Sequence, residues 1–456
     1  MLGSKTPGIL AALHCAPMQI HVLTLAFALA LLASLATKFW LATRQVRHVM
    51  AHRGAVPAPF AHAVPLASHQ KAADYTVARL RLGMLSSAAG TAVLLGWTLL
   101  GGLDMLNGTL LEHLHPWLPA GWRDLGYQVA LLAAFVAIGS LLDLPFELIG
   151  TFRIEQRFGF NRTTWRLWLS DALKSTLVGV VIGLPIAALI LWLMGAAGPR
   201  WWLWAWGAWV AFNLLLLVLF PTVIAPLFNR FEPLADEALR ERVQALMARC
   251  GFAAKGLFVM DGSRRSAHGN AYFTGLGAAK RVVFYDTLLA KLEPGEVEAV
   301  LAHELGHFKH RHVRNRIVLM FSLSLAGFAL LGWLSQQAWF YLALGVQPAL
   351  GTPNDAVALL LFLAVTPVFG YFMGPVLAGL SRRDEFQADA YACSQASSDD
   401  LARALLKLHE DNASTLTPDP LYARFHYSHP PAVERLAALP AGRASAGAGA
   451  AIAHPA

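Results

Sequence analysis

Charged residues are scarce in this sequence. Asp, Glu, Lys and Arg make up 14% of the 456 residues, whereas hydrophobic residues make up 56%. An average soluble domain has about 25% charged residues. The apolar residues stand in long blocks and are not spaced as in an amphipathic helix or strand. This composition excludes an ordinary soluble protein and predicts a chain whose partner is the lipid bilayer.

Cysteine is also rare. The three cysteines, Cys15, Cys250 and Cys393, have no Cys-x-x-Cys spacing, which excludes a disulfide framework and a zinc ribbon. Any metal must therefore be held by histidine and carboxylate. The net charge of +8 suggests nucleic acid at first sight, but the basic residues cluster beside apolar blocks, as in membrane proteins. We therefore expect no nucleic-acid partner.

Seven segments are long enough to cross a hydrocarbon core, which takes about 20 helical residues. They cover approximately residues 20–40, 82–106, 125–150, 173–195, 201–224, 317–333 and 357–380. The loops after the first and third segments are rich in arginine, so both are predicted to be cytoplasmic. Strict alternation then places the N-terminus outside and the long polar segment after the fifth span in the cytoplasm. Abundant Ala, Leu and Arg favour a bacterial source, and hence the inner membrane.

The spans divide the chain into five parts. Residues 1–228 form a membrane domain with five spans, residues 229–316 a cytoplasmic α+β unit, and residues 317–380 the last two spans. Residues 381–440 form a cytoplasmic segment, and residues 441–456 a disordered tail rich in Ala, Gly, Ser and Pro. The predicted fold class is therefore mainly α, a polytopic membrane protein with a small α+β unit.

Helices and strands alternate in the polar unit. Its first helix has Leu239, Val243, Leu246 and Cys250 on one stripe and ends at Gly251. Strands are predicted over residues 257–260, 271–276 and 281–285, and a second helix over residues 292–312, with Pro294 in its first turn.

The second helix contains His303-Glu304-Leu305-Gly306-His307. Residues four apart lie on one helical face, so the two imidazoles can bind one ion while Glu304 acts as general base. Such a pattern also occurs by chance in helices that bind nothing. Here Gly306 permits another segment to approach closely, and an apolar run precedes the motif, as a buried site requires. Two histidines and one carboxylate would leave zinc an open position for water.

A carboxylate from elsewhere must complete such a site. Glu385 and Asp389 follow the seventh span and share a helical face. Glu385 is the predicted third ligand, and Asp389 a hydrogen-bond acceptor for a ligand histidine. His310 is a rival ligand, but one turn of helix places it too far along. With His312 and the nearby basic residues, it is assigned to a cationic membrane flank.

The motifs resemble those of the type I CAAX prenyl protease family, which are integral membrane zinc proteases. The resemblance covers nearly the whole chain and rests on residues 303–307, 385–389 and 265–275, extended by residues 157–161, 225–229 and 427–431. It implies seven spans around an intramembrane chamber and one zinc ion held by His303, His307 and Glu385. It also implies that Asn270 and His429 stabilise the oxyanion. The strand that begins with Ala271 and Tyr272 is expected to pair with an extended substrate.

The predicted function is zinc-dependent cleavage of membrane-associated or lipidated proteins, either CAAX-type substrates or proteins under general quality control. A transporter with a structural metal is the alternative, because Asp143 and Glu147 are ionisable residues in the third span. A scaffold that keeps its metal site without cleaving is another. Arg382 and Arg383 either recognise a substrate carboxylate or mark the cytoplasmic flank, and the flank is favoured.

Overall fold

The computed structural model describes residues 17–253, 256–274 and 281–440. Within these ranges the protein is mainly helical, with seven helices long and apolar enough to cross a membrane and one four-stranded sheet. The fold class is therefore as predicted. The predicted disordered tail, residues 441–456, lies outside the described residues.

Seven spans form the membrane part. They are span 1 Met18–Ala51, span 2 Leu66–Trp97, span 3 Arg123–Glu155, span 4 Trp165–Ala196, span 5 Gly198–Phe228, span 6 His312–Leu334 and span 7 Asp355–Gln395. Spans 3, 4 and 5 contain the π-helical stretches Ile149–Glu155, Gly179–Gly183 and Phe220–Ile224. Span 7 consists of Asp355–Gly370 and Gly374–Gln395, joined by one tight turn.

The shorter helices are α1 Gly102–His113, α2 Glu237–Arg249, α3 Asp286–Leu289, α4 Pro294–Lys309, α5 Ala338–Ala343, α6 Ser398–Asp411, α7 Pro420–His426 and α8 Ala432–Ala438. Each predicted span corresponds to an observed one, but the end predicted for the second, residue 106, is wrong. That helix ends at Trp97, because Thr98 leaves the helical conformation with φ -99° and ψ -100°, and α1 begins after Gly101 at φ 77°. Glycine takes this left-handed conformation without the steric penalty of other residues.

The sheet belongs to the polar unit and has the order β1-β2-β4-β3. Its strands are β1 Phe231–Pro233, β2 Gly256–Met260, β3 Ala271–Thr274 and β4 Arg281–Tyr285. β2 and β4 are parallel, and the other two pairs are antiparallel. The three predicted strands are confirmed, except that residues 275 and 276 lie outside the described residues, and β1 was not predicted. β3 is an edge strand, so one side of its backbone has no strand partner among the described residues.

Helix α2 confirms the predicted stripe. Leu239, Val243 and Leu246 are buried in the core of the polar unit, and Gly251 at φ 64° follows the end of the helix. The side chains of Arg242 and Arg249 both bond to the Glu298 carboxylate of α4. These ion pairs fix α2 against the helix that contains the histidine motif.

The predicted continuous helix over residues 292–312 is wrong. Helix α4 begins at Pro294 with a capping box between Glu293 and Glu296, and it ends at Lys309. Arg311 has φ 60°, and a residue in this left-handed conformation interrupts helical hydrogen bonding. Span 6 then starts at His312 in a new direction.

Helix α4 packs directly on span 7. A Cβ atom on Gly306 would lie 2.9 Å from the Ala388 Cα atom and 3.0 Å from its carbonyl oxygen. Both are backbone atoms, which cannot rotate away. Glycine at position 306 is therefore what permits the two helices to approach this closely, as its place in the motif predicted.

We expect Gly306→Ala to force α4 away from span 7 and to lower the melting temperature of the detergent-solubilised protein. The cost of such overpacking is typically about 1–3 kcal/mol. The matched control is Gly327→Ala in span 6, where the nearest neighbour of an added Cβ atom is the Phe362 ring at 3.9 Å. Equal melting temperatures for both variants would contradict the proposed role of the close contact.

Candidate active site

Three side chains from two helices converge beneath the polar unit. The Nε2 atoms of His303 and His307, both on α4, lie 3.3 Å apart. Glu385 of span 7 places one oxygen 3.4 Å from His303 Nε2 and the other 3.4 Å from His307 Nε2. Ligands at 2.0–2.1 Å from a tetrahedral ion lie about 3.3–3.4 Å from one another. The donor set thus has the spacing that zinc requires, and Glu385 Oε2 is a buried oxygen without a hydrogen-bond partner.

His303 is oriented from behind by a carboxylate. Its Nδ1 lies 2.8 Å from Asp389 Oδ1, so Nδ1 carries the proton and Nε2 offers its lone pair to the site. Arg435 donates two hydrogen bonds to Asp389, of 2.8 and 2.6 Å. Burial alone would lower the pKa of His303, but Asp389 and Glu385 raise it to about 9. Metal binding at Nε2 therefore displaces a proton and is favoured by higher pH.

His307 is oriented differently, through a second histidine. His312 Nε2 lies 2.9 Å from Gln387 Oε1, and its Nδ1 lies 3.0 Å from His307 Nδ1. The amide oxygen of Gln387 can only accept, so His312 Nε2 donates and its Nδ1 accepts the proton of His307 Nδ1. His307 Nε2 is left unprotonated toward Glu385. The assignment of His312 to a cationic flank is wrong, because its ring is buried against the site.

Glu304 lies between the two ligand histidines and faces a cavity of about 1010 Å³. Burial raises the pKa of its carboxyl, which brings the group nearer to the range of an efficient general base. His303, Glu385, Asn270 and His429 line the same cavity. The residues predicted from distant parts of the chain therefore meet around one space.

His429 and Asn270 both line this cavity. His429 Nε2 lies 3.3 Å from Glu385 Oε1. Ser428 Oγ lies 3.0 Å from the other ring nitrogen. The Asn270 Oδ1 atom accepts from the Ala271 backbone N–H at 2.8 Å, which turns the amide NH₂ group the opposite way. Both side chains have groups that can donate hydrogen bonds to a ligand in the cavity.

The edge strand β3 forms part of the cavity wall, but only on one face. Ala271 lines the cavity, whereas the Tyr272 side chain points to the other side of the strand and contacts Met260. Burial there raises the pKa of Tyr272 to about 12. Tyr272 is therefore not among the residues that line the cavity.

Other predicted residues lie away from the metal position. His310 stacks on His312, with ring centroids 5.5 Å apart, and is not among the converging donors. Arg382 donates to the Tyr427 carbonyl at 2.7 Å and so supports the segment leading to His429. In span 3, Glu147 accepts from Trp168 Nε1 at 2.9 Å.

The sequence interpretation missed Arg435 and misplaced His312. Arg435 stands six residues after His429, and its burial against Asp389 was the only sign of a role. His312 gave no signal, because only the break at Arg311 brings it back to His307.

We expect His312→Ala to weaken metal binding by about 10–100-fold, the usual effect of losing a partner that orients a ligand histidine. Affinity is measured by competition with a calibrated chelator. The matched control is His310→Ala, two residues away and exposed, which should bind metal as the wild type does. Unchanged affinity in His312→Ala would contradict the assigned hydrogen-bond chain.

Two family models match consecutive parts of the chain. Residues 45–230 match the CAAX prenyl protease N-terminal model, described as five membrane helices, and residues 233–442 match peptidase family M48. Together they cover most of the sequence, including every residue of the candidate site.

Curated relatives and a solved structure agree with these models. The CAAX prenyl protease 1 homolog of Arabidopsis thaliana is 38% identical over 320 residues, covering 70% of this chain and 74% of the relative. CAAX prenyl protease 1 of Saccharomyces cerevisiae is 36% identical over 350 residues, covering 74% and 76%. The crystal structure of S. mikatae Ste24p has a TM-score of 0.83 at 29% identity, covering 91% of this chain and 98% of that one. The chain therefore belongs to peptidase family M48 and is an integral membrane metalloendopeptidase.

Proposed function

We propose that this enzyme is a zinc-dependent endopeptidase that cleaves membrane-associated or lipidated proteins of the CAAX type. The observation that carries the proposal is the tetrahedral spacing of His303, His307 and Glu385 at a cavity bounded by spans 1 and 2. One zinc ion per chain fits this donor set. Bound there, zinc would supply a Lewis acid and lower the pKa of water at its open position.

Glu304 is the proposed general base. Its carboxylate takes a proton from the attacking water and returns it to the nitrogen of the leaving peptide. The group is half-buried between the two ligand histidines, close to where both proton transfers occur. Its raised pKa helps the second transfer, because a weaker acid holds the proton until the amine accepts it.

Asn270 and His429 are the proposed oxyanion donors. The amide NH₂ group of Asn270 and the Nε2–H of His429 reach the cavity from separate segments. Donors that are already oriented toward developing negative charge lower the barrier without reorganisation. Asp389 acts one step further out, by holding His303 in the tautomer that the metal needs.

The substrate backbone is proposed to pair with β3 through Ala271 and Tyr272. An exposed edge strand recognises an extended peptide by main-chain hydrogen bonds, so it selects conformation more than sequence. The relatives bear the name CAAX prenyl protease, and the cavity is bounded by membrane spans, so a lipid-anchored substrate is proposed here. General quality control of membrane proteins is the variant of this function that the same site would also permit.

The proposed location is the bacterial inner membrane, with the N-terminus outside and the polar unit in the cytoplasm. The arginine-rich loops after spans 1 and 3 carry this orientation. The division at residues 228 and 229, between the five-span domain and the catalytic unit, follows from the same alternation. Asp143 and Glu147 were the basis for the transporter alternative, which the family assignment does not favour.

We expect Glu304→Gln to retain metal and fold but to abolish cleavage of a farnesylated CAAX peptide. The glutamine amide occupies the same space and accepts no proton. A strong chelator should abolish wild-type cleavage, and added zinc should restore it. Cleavage is measured by the release of the C-terminal fragment, with metal content determined in parallel. If the Glu304→Gln variant with bound metal still cleaves the peptide, the result would contradict the proposed function.

We expect Asn270→Ala to lower kcat by about 10²–10³-fold with little change in KM, as when other oxyanion donors are removed. Asn315→Ala is the matched control, because Asn315 is an exposed amide at the start of span 6 and does not line the cavity. A loss confined to KM would instead assign Asn270 to ground-state binding.

A further inference from the structure

The cavity wall contains two arginines among the described residues, and they differ in what they bind. Arg435 is committed to Asp389, and its side chain is 11% exposed. Arg79 of span 2 is 56% exposed and has one ion-pair contact, from Nη1 to Glu155 Oε1 at 3.0 Å. Arg79 is therefore the permanent positive charge of the described cavity wall that remains accessible to a ligand.

Glu155 orients Arg79 without covering it. The Glu155 carboxylate also accepts from the Tyr75 hydroxyl at 2.6 Å and does not itself line the cavity. The Arg79 guanidinium also lies over the Tyr75 ring, with its Cζ atom 6.0 Å from the centroid of that ring. An arginine held at one nitrogen and along one face keeps its other donors for a second acceptor. Its planar fork matches the geometry of a carboxylate.

The position of Arg79 along the cavity follows from the same contacts. Glu155 Oε2 lies 3.6 Å from His268 Nε2, and His268 stands two residues before Asn270. Arg79 therefore lies beyond the Asn270 end of β3, on the side where β3 begins. The other end of the strand, at Thr274, leads away from Arg79.

The direction of β3 determines which end of a bound peptide would reach Arg79. A peptide that adds to β3 in the antiparallel sense, the slightly more stable ladder, runs from the Thr274 end toward Asn270. Residues after the scissile bond then pass Asn270 and approach His268 and Arg79. Extended chains advance about 3.3 Å per residue, so a segment of only a few residues brings its terminus into this region.

We propose that Arg79 binds the C-terminal carboxylate of the substrate and so selects scissile bonds a few residues from a free C-terminus. This inference rests on the proposed function and deepens it, because it states what the cavity recognises beyond the cleaved bond. Arg382 and Arg383 were assigned to the cytoplasmic flank in preference to carboxylate binding, and neither of them lines the cavity. Arg79 is a binding residue for the leaving segment and takes no part in proton transfer.

The test compares two farnesylated CAAX peptides that differ only in a C-terminal carboxylate or carboxamide, using the full-length enzyme in vesicles. We expect wild type to cleave the carboxylate form with a kcat/KM about 10–100-fold higher, since a hydrogen bond to a charged group contributes on that order. The difference should lie mainly in KM. Arg79→Gln should bring the ratio of the two kcat/KM values to about one, whereas Arg79→Lys should retain part of the preference.

Arg81→Gln is the matched control, because Arg81 is an exposed arginine on the same span that does not line the cavity. It should keep the full preference. A wild-type ratio near one, a preserved ratio in Arg79→Gln, or an equal loss in Arg81→Gln would overturn the inference while leaving the peptidase function intact. Loss of both activities in Arg79→Gln and Arg79→Lys would assign Arg79 a structural role and also overturn it. Failure of wild type to cleave either peptide would instead overturn the proposed function, and this inference with it.

Discussion

The contact between Gly306 and Ala388 is the constraint on which the rest of the site depends. It lets α4 lie against the continuation of span 7 at backbone distance. At that separation the His303 and His307 rings reach Glu385 with donor atoms 3.4 Å apart. A larger side chain at position 306 would push the helices apart by more than a metal coordination sphere tolerates, because zinc distances vary by only about 0.2 Å. The close packing of these two helices is therefore also what gives the metal ligands their required spacing.

The same contact also determines protonation. Asp389 lies one turn after Glu385 on span 7, so the approach that brings in the ligand also brings in the acceptor for His303 Nδ1. Gln387, between them, reaches the other histidine through His312. Both ligand rings are thereby held with Nε2 directed at the metal position. His303 is held by the Asp389 carboxylate, and His307 is held by the His312 ring. The carboxylate partner raises the basicity of His303 as a ligand, which strengthens its bond to a metal.

The sequence predicted the parts of the site that follow a local period and missed those that depend on chain direction. His303 and His307 are four residues apart, and Glu385 and Asp389 are likewise four apart, so helical geometry alone places each pair on one face. The left-handed Arg311 has no sequence mark, because glycine usually occupies such positions. Without that break, His312 would continue along α4 and point away from His307. The burial of Arg435 likewise depends on how α8 docks, which no local pattern reports.

Both halves of the candidate metal site are direct extensions of membrane helices. Glu385 lies on the continuous helix Gly374–Gln395 of span 7, and two residues separate α4 from span 6. The cavity is bounded by spans 1 and 2 as well as by the catalytic unit, and its volume of about 1010 Å³ matches the upper range of small-molecule sites. A folded domain does not fit in such a space, but an extended segment does. Under the proposed function, the position of the scissile bond is set by how far an extended chain can run between the spans and β3, which is a limit on reach and not on sequence.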